Sequence, residues 1–218
     1  MKNRDISVPD QKNYEAAYGL AYQLAVEKIT GAQDIKELCR KSRSQFLEEG
    51  PERAIIINYL NRPYKISLPD VEITLVDGDD DIPIRDKLLI LHYFVTAKGT
   101  PPENRPITFQ EIPEGTIYSP TFAQRTINPL TRYFGEDPDK LLEVSRELGG
   151  EKTDFGDVAV KIPAFTSVPV TILFWKGDEE LPPQGNILFD ASITDYLPTE
   201  DITVLCEVIT WRLIRQLG

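Results

Sequence analysis

The segment Leu88–Val95, LLILHYFV, is apolar almost all the way round a helical wheel. A helix of that kind has no face to offer water, so the chain must supply packing layers around it. Pro83 suits the first helical turn and Gly99 the stop, which predicts a central buried helix running from Pro83 to Gly99. A second segment is constrained in the same way. Val170–Trp175 is apolar on both faces of an extended chain, which predicts a central strand.

Around these two the other elements fall into blocks. Ala17, Leu20, Ala21 and Leu24 predict an amphipathic helix over residues 10–30, stopped by Gly31. A helix over 34–48 is predicted from Ile35, Leu38, Cys39, Ser42 and Phe46, with Gly50-Pro51 as its stop. Short apolar runs at 54–59, 64–68 and 71–76, parted by Asn61-Arg62-Pro63 and Pro69-Asp70, read as a meander. Pro106–Ile112 reads as a strand. Ser119-Pro120, Asn128-Pro129 and Asp137-Pro138 read as three helix starts, each a capping residue before a proline. Gly149-Gly150 closes the last of these helices. Strands follow at 158–162, 168–175 and 186–189. An amphipathic helix over 200–216 ends the order, with Thr199 as its expected cap.

Blocks of strands and helices, without strict alternation, favour α+β over a doubly wound sheet. The expected fold is one domain over 1–218. Its largely antiparallel sheet combines the N-terminal meander with the C-terminal three-strand block, and N-terminal, central and C-terminal helices pack it. Residues 1–9 are expected to be disordered.

Charge and cysteine usage exclude whole classes of function. The net charge is −11, and residues 1–53 hold nine basic and nine acidic side chains, so the acidic excess lies in the remainder. No basic footprint for nucleic acid exists, and anionic membrane surfaces are disfavoured. No run is long enough to span a bilayer, and the N-terminus lacks the apolar core of a signal peptide, so a soluble cytoplasmic protein is expected. The two cysteines, Cys39 and Cys206, lie on apolar stripes and read as buried thiols, with no metal-ligand spacing. Asp77, Asp79 and Asp81 begin like a calcium loop. The template then fails at Ile82 and Leu88, leaving an exposed acidic turn.

His92 is the single histidine, on the central helix, which removes every mechanism needing two imidazoles. It reads more simply as a hydrogen-bonded core residue than as a catalyst. Ser192 lacks a nucleophile elbow. The remaining candidates for ligand contact are Asp178, Asp190, Arg125, Tyr118 and Trp175. Asp178 and Asp190 both end apolar strands, where a short acid either binds a ligand or holds neighbouring backbone. Glu179 and Glu180 read as a solvated turn. Arg125, three residues after Phe122 on a helix, could face a groove lined by Tyr118 and Phe122 and take a carboxylate or phosphate; the plainer reading is a salt bridge to Glu111, Glu114 or Asp190. Trp175 reads as core.

Several longer blocks carry a family resemblance: LLILHYF (88–94), FQEIPEG (109–115), PLTRYFG (129–135), ELGG (147–150), VPVTILFWKGDEELP (168–182) and LFDASITDYLPTED (188–201), with Tyr118, Phe122, Arg125 and Gly156-Asp157. They resemble the prokaryotic domain of unknown function family 3786 over residues 10–215. The resemblance implies one uncharacterised domain typical of anaerobic bacteria and archaea. Some members are joined to a four-cysteine iron–sulfur segment, which this chain lacks. It assigns no reaction, no catalytic residue and no cofactor.

Two functional expectations result. The dearth of nucleophile–base sets favours a non-catalytic accessory module that binds a small molecule or a protein partner, which the resemblance sets in anaerobic cofactor or metalloenzyme metabolism. The alternative is a carboxylate-based, metal-assisted hydrolase using Asp178 and Asp190, with Glu200 or Asp201. The residues leave open whether the chain is an enzyme.

Overall fold

The computed structural model describes residues 11–50 and 52–217. Helices α1 (Gln11–Thr30) and α2 (Ile35–Ser42) lead into strands β1 (Gln45–Glu49), β2 (Glu52–Tyr59), β3 (Arg62–Leu68) and β4 (Glu72–Leu75). Helix α3 (Ile84–Thr96) follows, then β5 (Pro106–Thr108) and helices α4 (Gly115–Arg125), α5 (Ile127–Phe134) and α6 (Asp139–Val144). Strands β6 (Glu151–Lys152), β7 (Val158–Phe165), β8 (Val168–Trp175) and β9 (Gln184–Asp190) precede the final helix, α7 (Thr199–Arg215).

Among the described residues nine strands join one antiparallel sheet in the order β4-β3-β2-β7-β8-β9-β5, with β1 on β2 and β6 on β7. The α+β class and the union of meander and C-terminal strands are therefore as the sequence predicts. The union itself is slender. One residue pair, Tyr59 with Phe165, joins β2 to β7, where the flanking strands share seven-residue registers. Side chains reinforce the seam. Tyr59 stacks on Phe165 with centroids 4.9 Å apart, Phe165 on Tyr93 of α3 at 4.1 Å, and Tyr93 on Tyr196 at 5.9 Å.

Helix α3 is buried as its composition demands. Leu88, Leu89, Ile90, Leu91, Tyr93 and Phe94 are sealed from solvent, each worth about 1.5–3 kcal/mol relative to exposure. Strand β8 is buried from Val170 to Phe174 on both faces. Phe134 of α5 leans on Phe174, and Phe122 of α4 meets Phe189 edge-on, so α4 and α5 close one side of β8 and β9.

Several expectations are corrected. On α1, Ala21 faces the core as expected, but Leu20 and Leu24 are exposed; Tyr18, Tyr22, Ala25, Val26 and Ile29 complete the inward face in their place. The two tyrosines reach further across the interface than leucines, and Tyr22 donates its hydroxyl to the Val71 carbonyl. The helix expected over 34–48 ends at Ser42. The Ser42 hydroxyl donates to the Leu38 carbonyl, Arg43 turns left-handed at φ 52°, and 45–49 pair with β2 as a strand. The expectations for residues 1–9, Pro51 and the side chain of Ala17 fall outside the described residues.

Ser119-Pro120 does not start a helix. Helix α4 begins earlier, at Gly115, and Pro120 lies inside it. Gly115 is required there, since a Cβ would come within 1.9 Å of the Phe109 carbonyl oxygen. Asn128 is already helical and Pro129 occupies the first turn of α5, where no intrahelical acceptor awaits its nitrogen. Asp137-Pro138 does immediately precede α6. The strand expected over 106–112 is only Pro106–Thr108, followed by a single 3₁₀ turn. Thr199 does not cap α7; Pro198 holds that position, and the threonine hydroxyl donates to the Pro113 carbonyl.

Candidate functional site

Asp178 and Asp190 stand at opposite ends of the β8–β9 hairpin. Trp175, at the end of β8, pairs with Gln184, whereas Asp190 closes β9 and pairs with Pro106. Six residue steps of strand put about 20 Å between the two ends. Each carboxylate serves its own backbone. Asp178 accepts from the amides of Glu180 and Leu181, both at 2.8 Å, which draws its carboxyl below the usual range. Asp190 accepts from the amides of Glu103 (3.0 Å), Asn104 (2.7 Å) and Ser192 (3.0 Å) and from the Ser192 hydroxyl (2.6 Å). It thereby pins the 99–105 loop to the end of β9. The carboxylate pairing behind the hydrolase expectation is absent from this geometry.

Asp178 does line a cleft of about 490 Å³ between the α5–α6 and β8–β9 turns. Glu136, Asp137, Asp139, Glu179 and Glu180 share that cleft, and Lys176 pairs with Asp139 at 3.0 Å. Among the described residues no three His, Cys, Asp or Glu side chains are grouped to hold a metal ion. Trp175 is not core, being 44% exposed at its strand end. Tyr118 is exposed on α4, and Phe122 is stacked on Phe109 at 3.9 Å, so the two line no common groove.

Arg125 leads elsewhere. Its Nε donates to Glu207 Oε2 on α7 at 2.9 Å, and Nη2 donates to the same oxygen. Arg125 does form a salt bridge, but its partner is Glu207 and not Glu111, Glu114 or Asp190. Arg85 of α3 approaches the other Glu207 oxygen at 3.8 Å. Two guanidinium groups thus share one carboxylate. Tyr18 of α1 completes the group. Burial pushes its phenol above the ordinary value, Arg85 and Arg125 pull it down, and Glu207 and exposed Glu200 push it up.

Two turns along the same helices stands a second pair. His92 Nδ1 lies 2.6 Å from Asp201 Oδ2, with the imidazole side chain 25% exposed and the aspartate 9%. The contacts His92–Asp201, Arg85–Glu207 and Asp86–Arg212 show that α3 and α7 run antiparallel. On α3, Arg85 and His92 are seven residues apart and so share a face, as do Glu200 and Glu207 on α7.

Of the ligand-contact candidates named from sequence, the structure brings Arg125 into this group; His92, expected to be hydrogen-bonded, meets Asp201, and Arg85, Glu207 and Tyr18 are additions. The one available signal was His92 itself: a polar ring on an apolar helix must find a partner, and its spacing from Arg85 puts both on one stripe.

A family model described as Domain of unknown function (DUF3786) matches residues 34–212. No curated protein matches the chain, and neither does any solved structure.

Proposed function

This chain belongs to the DUF3786 family, and we propose that it is a small-molecule-binding domain whose ligand is an anion, a carboxylate or a phosphate, taken up beside Arg85 and Arg125. The supporting observation is the sharing of one Glu207 carboxylate by two guanidinium groups. One positive charge there is uncompensated within the triad, and both arginine side chains keep roughly a third of their surface in solvent. Planar donors in that setting suit carboxylate or phosphate oxygens. Glu200 lies nearby but is solvated, so its opposing field is weakened. The cytoplasmic setting is an expectation from the sequence and the accessory role in anaerobic metabolism one from the family resemblance, and they direct the ligand choice toward anionic cofactor precursors.

A thermal-shift screen of protein prepared without phosphate tests this reading. Orthophosphate, citrate and anionic cofactor precursors should raise the melting midpoint where neutral and cationic analogues do not. Saturation at a hundredfold excess over Kd corresponds to about 2.7 kcal/mol of added stability. A wild-type midpoint indifferent to every anion, or a shift that survives in the Arg85→Gln/Arg125→Gln double variant, would sink it.

A further inference from the structure

Strand β9 is paired along the whole of one edge and only part of the other. Strand β8 matches it from Gln184 to Phe189, whereas β5 meets its outer side at Leu188, Phe189 and Asp190 alone. Beyond them Ala191 donates its amide outward to the Arg105 carbonyl at 3.0 Å. Alternate residues of an antiparallel strand point the same way, so Phe189, Ile187 and Gly185 also turn their main chain outward. The Ile187 amide is taken by the Asn186 side chain at 2.8 Å, in place of a strand. Among the described residues nothing bonds the outward main chain of half-buried Gly185.

That open stretch gives onto a groove of about 480 Å³, walled by Ile127, Thr131 and Arg132 of α5 on one side and by Pro183, Gln184 and Gly185 on the other. Pro183 also lines the cleft between the α5–α6 and β8–β9 turns, so the two adjoin there. Their charges differ. Of the six carboxylates in the cleft, Asp139 and Asp137 pair with Lys176 and Lys140, and Asp178 holds two amides. Glu136, Glu179 and Glu180 have no ion-pair partner among the described residues. Leu181, 60% exposed, adds an apolar ledge beside them. The groove has no acid on its walls and carries exposed Arg132.

We propose that the groove docks an extended basic segment of a partner protein, which adds to the Gly185 edge as a short strand and lays lysine or arginine side chains in the acidic cleft. An unpaired strand edge is a template for an extended chain, and main-chain bonds to Gly185 set the register. Charge sets the direction. A segment antiparallel to β9, as β5 is, leaves the edge with its C-terminal end past Pro183, among the carboxylates, while Arg132 repels the reverse charge order. Helix α5 is about 12 Å long, which accommodates about four residues of strand. Acids alone attract any cation; the open edge requires a chain. The proposal does not depend on the anion-binding reading above.

The probe is a fluorescent peptide of alternating threonine and valine with arginines at its C-terminal end, titrated by anisotropy. It should bind at least about tenfold more tightly than its citrulline counterpart, or than the peptide with the arginines moved to the N-terminal end. Glu136→Gln/Glu179→Gln/Glu180→Gln should weaken it by about tenfold or more. Asp77→Asn/Asp79→Asn/Asp81→Asn removes the same charge from the exposed turn before α3 and should leave affinity within about twofold. Equal weakening by the two triple variants would reveal attraction to net charge only and overturn the proposal, as would a peptide that does not bind.

A second measurement reads the edge itself. In the free protein the Gly185 amide should exchange with deuterium at least about a hundredfold faster than that of Asn186, which faces β8, and the peptide should slow it. A Gly185 amide already protected in the free protein, or left unprotected by the bound peptide, would remove the added strand and the proposal with it.

Discussion

Arg212 of α7 donates from Nη2 to Asp86 Oδ1 of α3 at 2.6 Å, and the aspartate is almost wholly shut away from solvent. The guanidinium also sits over the Tyr59 ring, 5.6 Å from its centroid. Removing one partner of such a pair leaves a buried charge with nothing opposite it. Asp86→Ala should cost about 3–5 kcal/mol in urea unfolding, and Asp86→Leu/Arg212→Met should recover most of it. A loss under about 1 kcal/mol for the single variant would show the pair to be energetically idle.

Glu207 restrains both arginines of the proposed anion site. Glu207→Gln takes away the carboxylate charge and leaves the two guanidinium groups without a counterion. Affinity for orthophosphate should rise about tenfold while stability falls by about 1–2 kcal/mol, the worth of a charge-assisted hydrogen bond. Unchanged or weaker binding in a folded variant would speak against a ligand at this position.

Asp190 makes a pH-dependent contribution whose sign follows from its environment. Burial pushes its carboxyl up, but the Ser192 hydroxyl and the amides of Ser192, Glu103 and Asn104 outweigh that and hold it below the ordinary value. A carboxyl depressed in the folded state stabilises above the unfolded value, about 4, and that stability drains away as pH falls through the folded one. Asp195 and Glu111 act in the same direction, through Lys98 and Thr108 respectively. Unfolding free energy should therefore drop below about pH 4. Asp190→Asn should flatten part of that drop, and Asp190→Ala should cost about 2–3 kcal/mol at neutrality by releasing the 99–105 loop.

Both thiols should be inert in the folded protein. Burial pushes Cys39 up to about 11 and Cys206 higher still. Near pH 8 that leaves about one Cys39 in a thousand as thiolate, before access is considered. A thiol-specific disulfide reagent should label neither residue at a rate within a hundredfold of that in denaturant. Prompt labelling of one equivalent would locate an opening motion near α2 or α7.

What could be read from the sequence was whatever depends on nearest neighbours along the chain. The apolar run at 88–95 and the two-faced strand at 170–174 declare their burial in composition alone, and the β2–β4 meander in its turn residues. Errors arose where distant partners decide. Leu20 and Leu24 fit a helical stripe as well as the tyrosines do, and only packing on α3 shows which stripe is inward. Residues 45–49 are strand because β2 offers them an edge. Asp190 looked unexplained because two of its three amide donors lie 86 and 87 positions away, and His92 lacked a partner because Asp201 lies 109 away. The candidate group is a tertiary object, and no local pattern announces it.

The sheet is nearly two sheets, met at Tyr59 and Phe165. Main-chain bonding is sparse there, so the column of rings through Phe165 and Tyr93 joins the helices packed across both halves in tying them together. The fold is thus built like a vault with its keystone in side chains. A loss at Phe165 would weaken the join between the halves more than it weakens the registers within either of them.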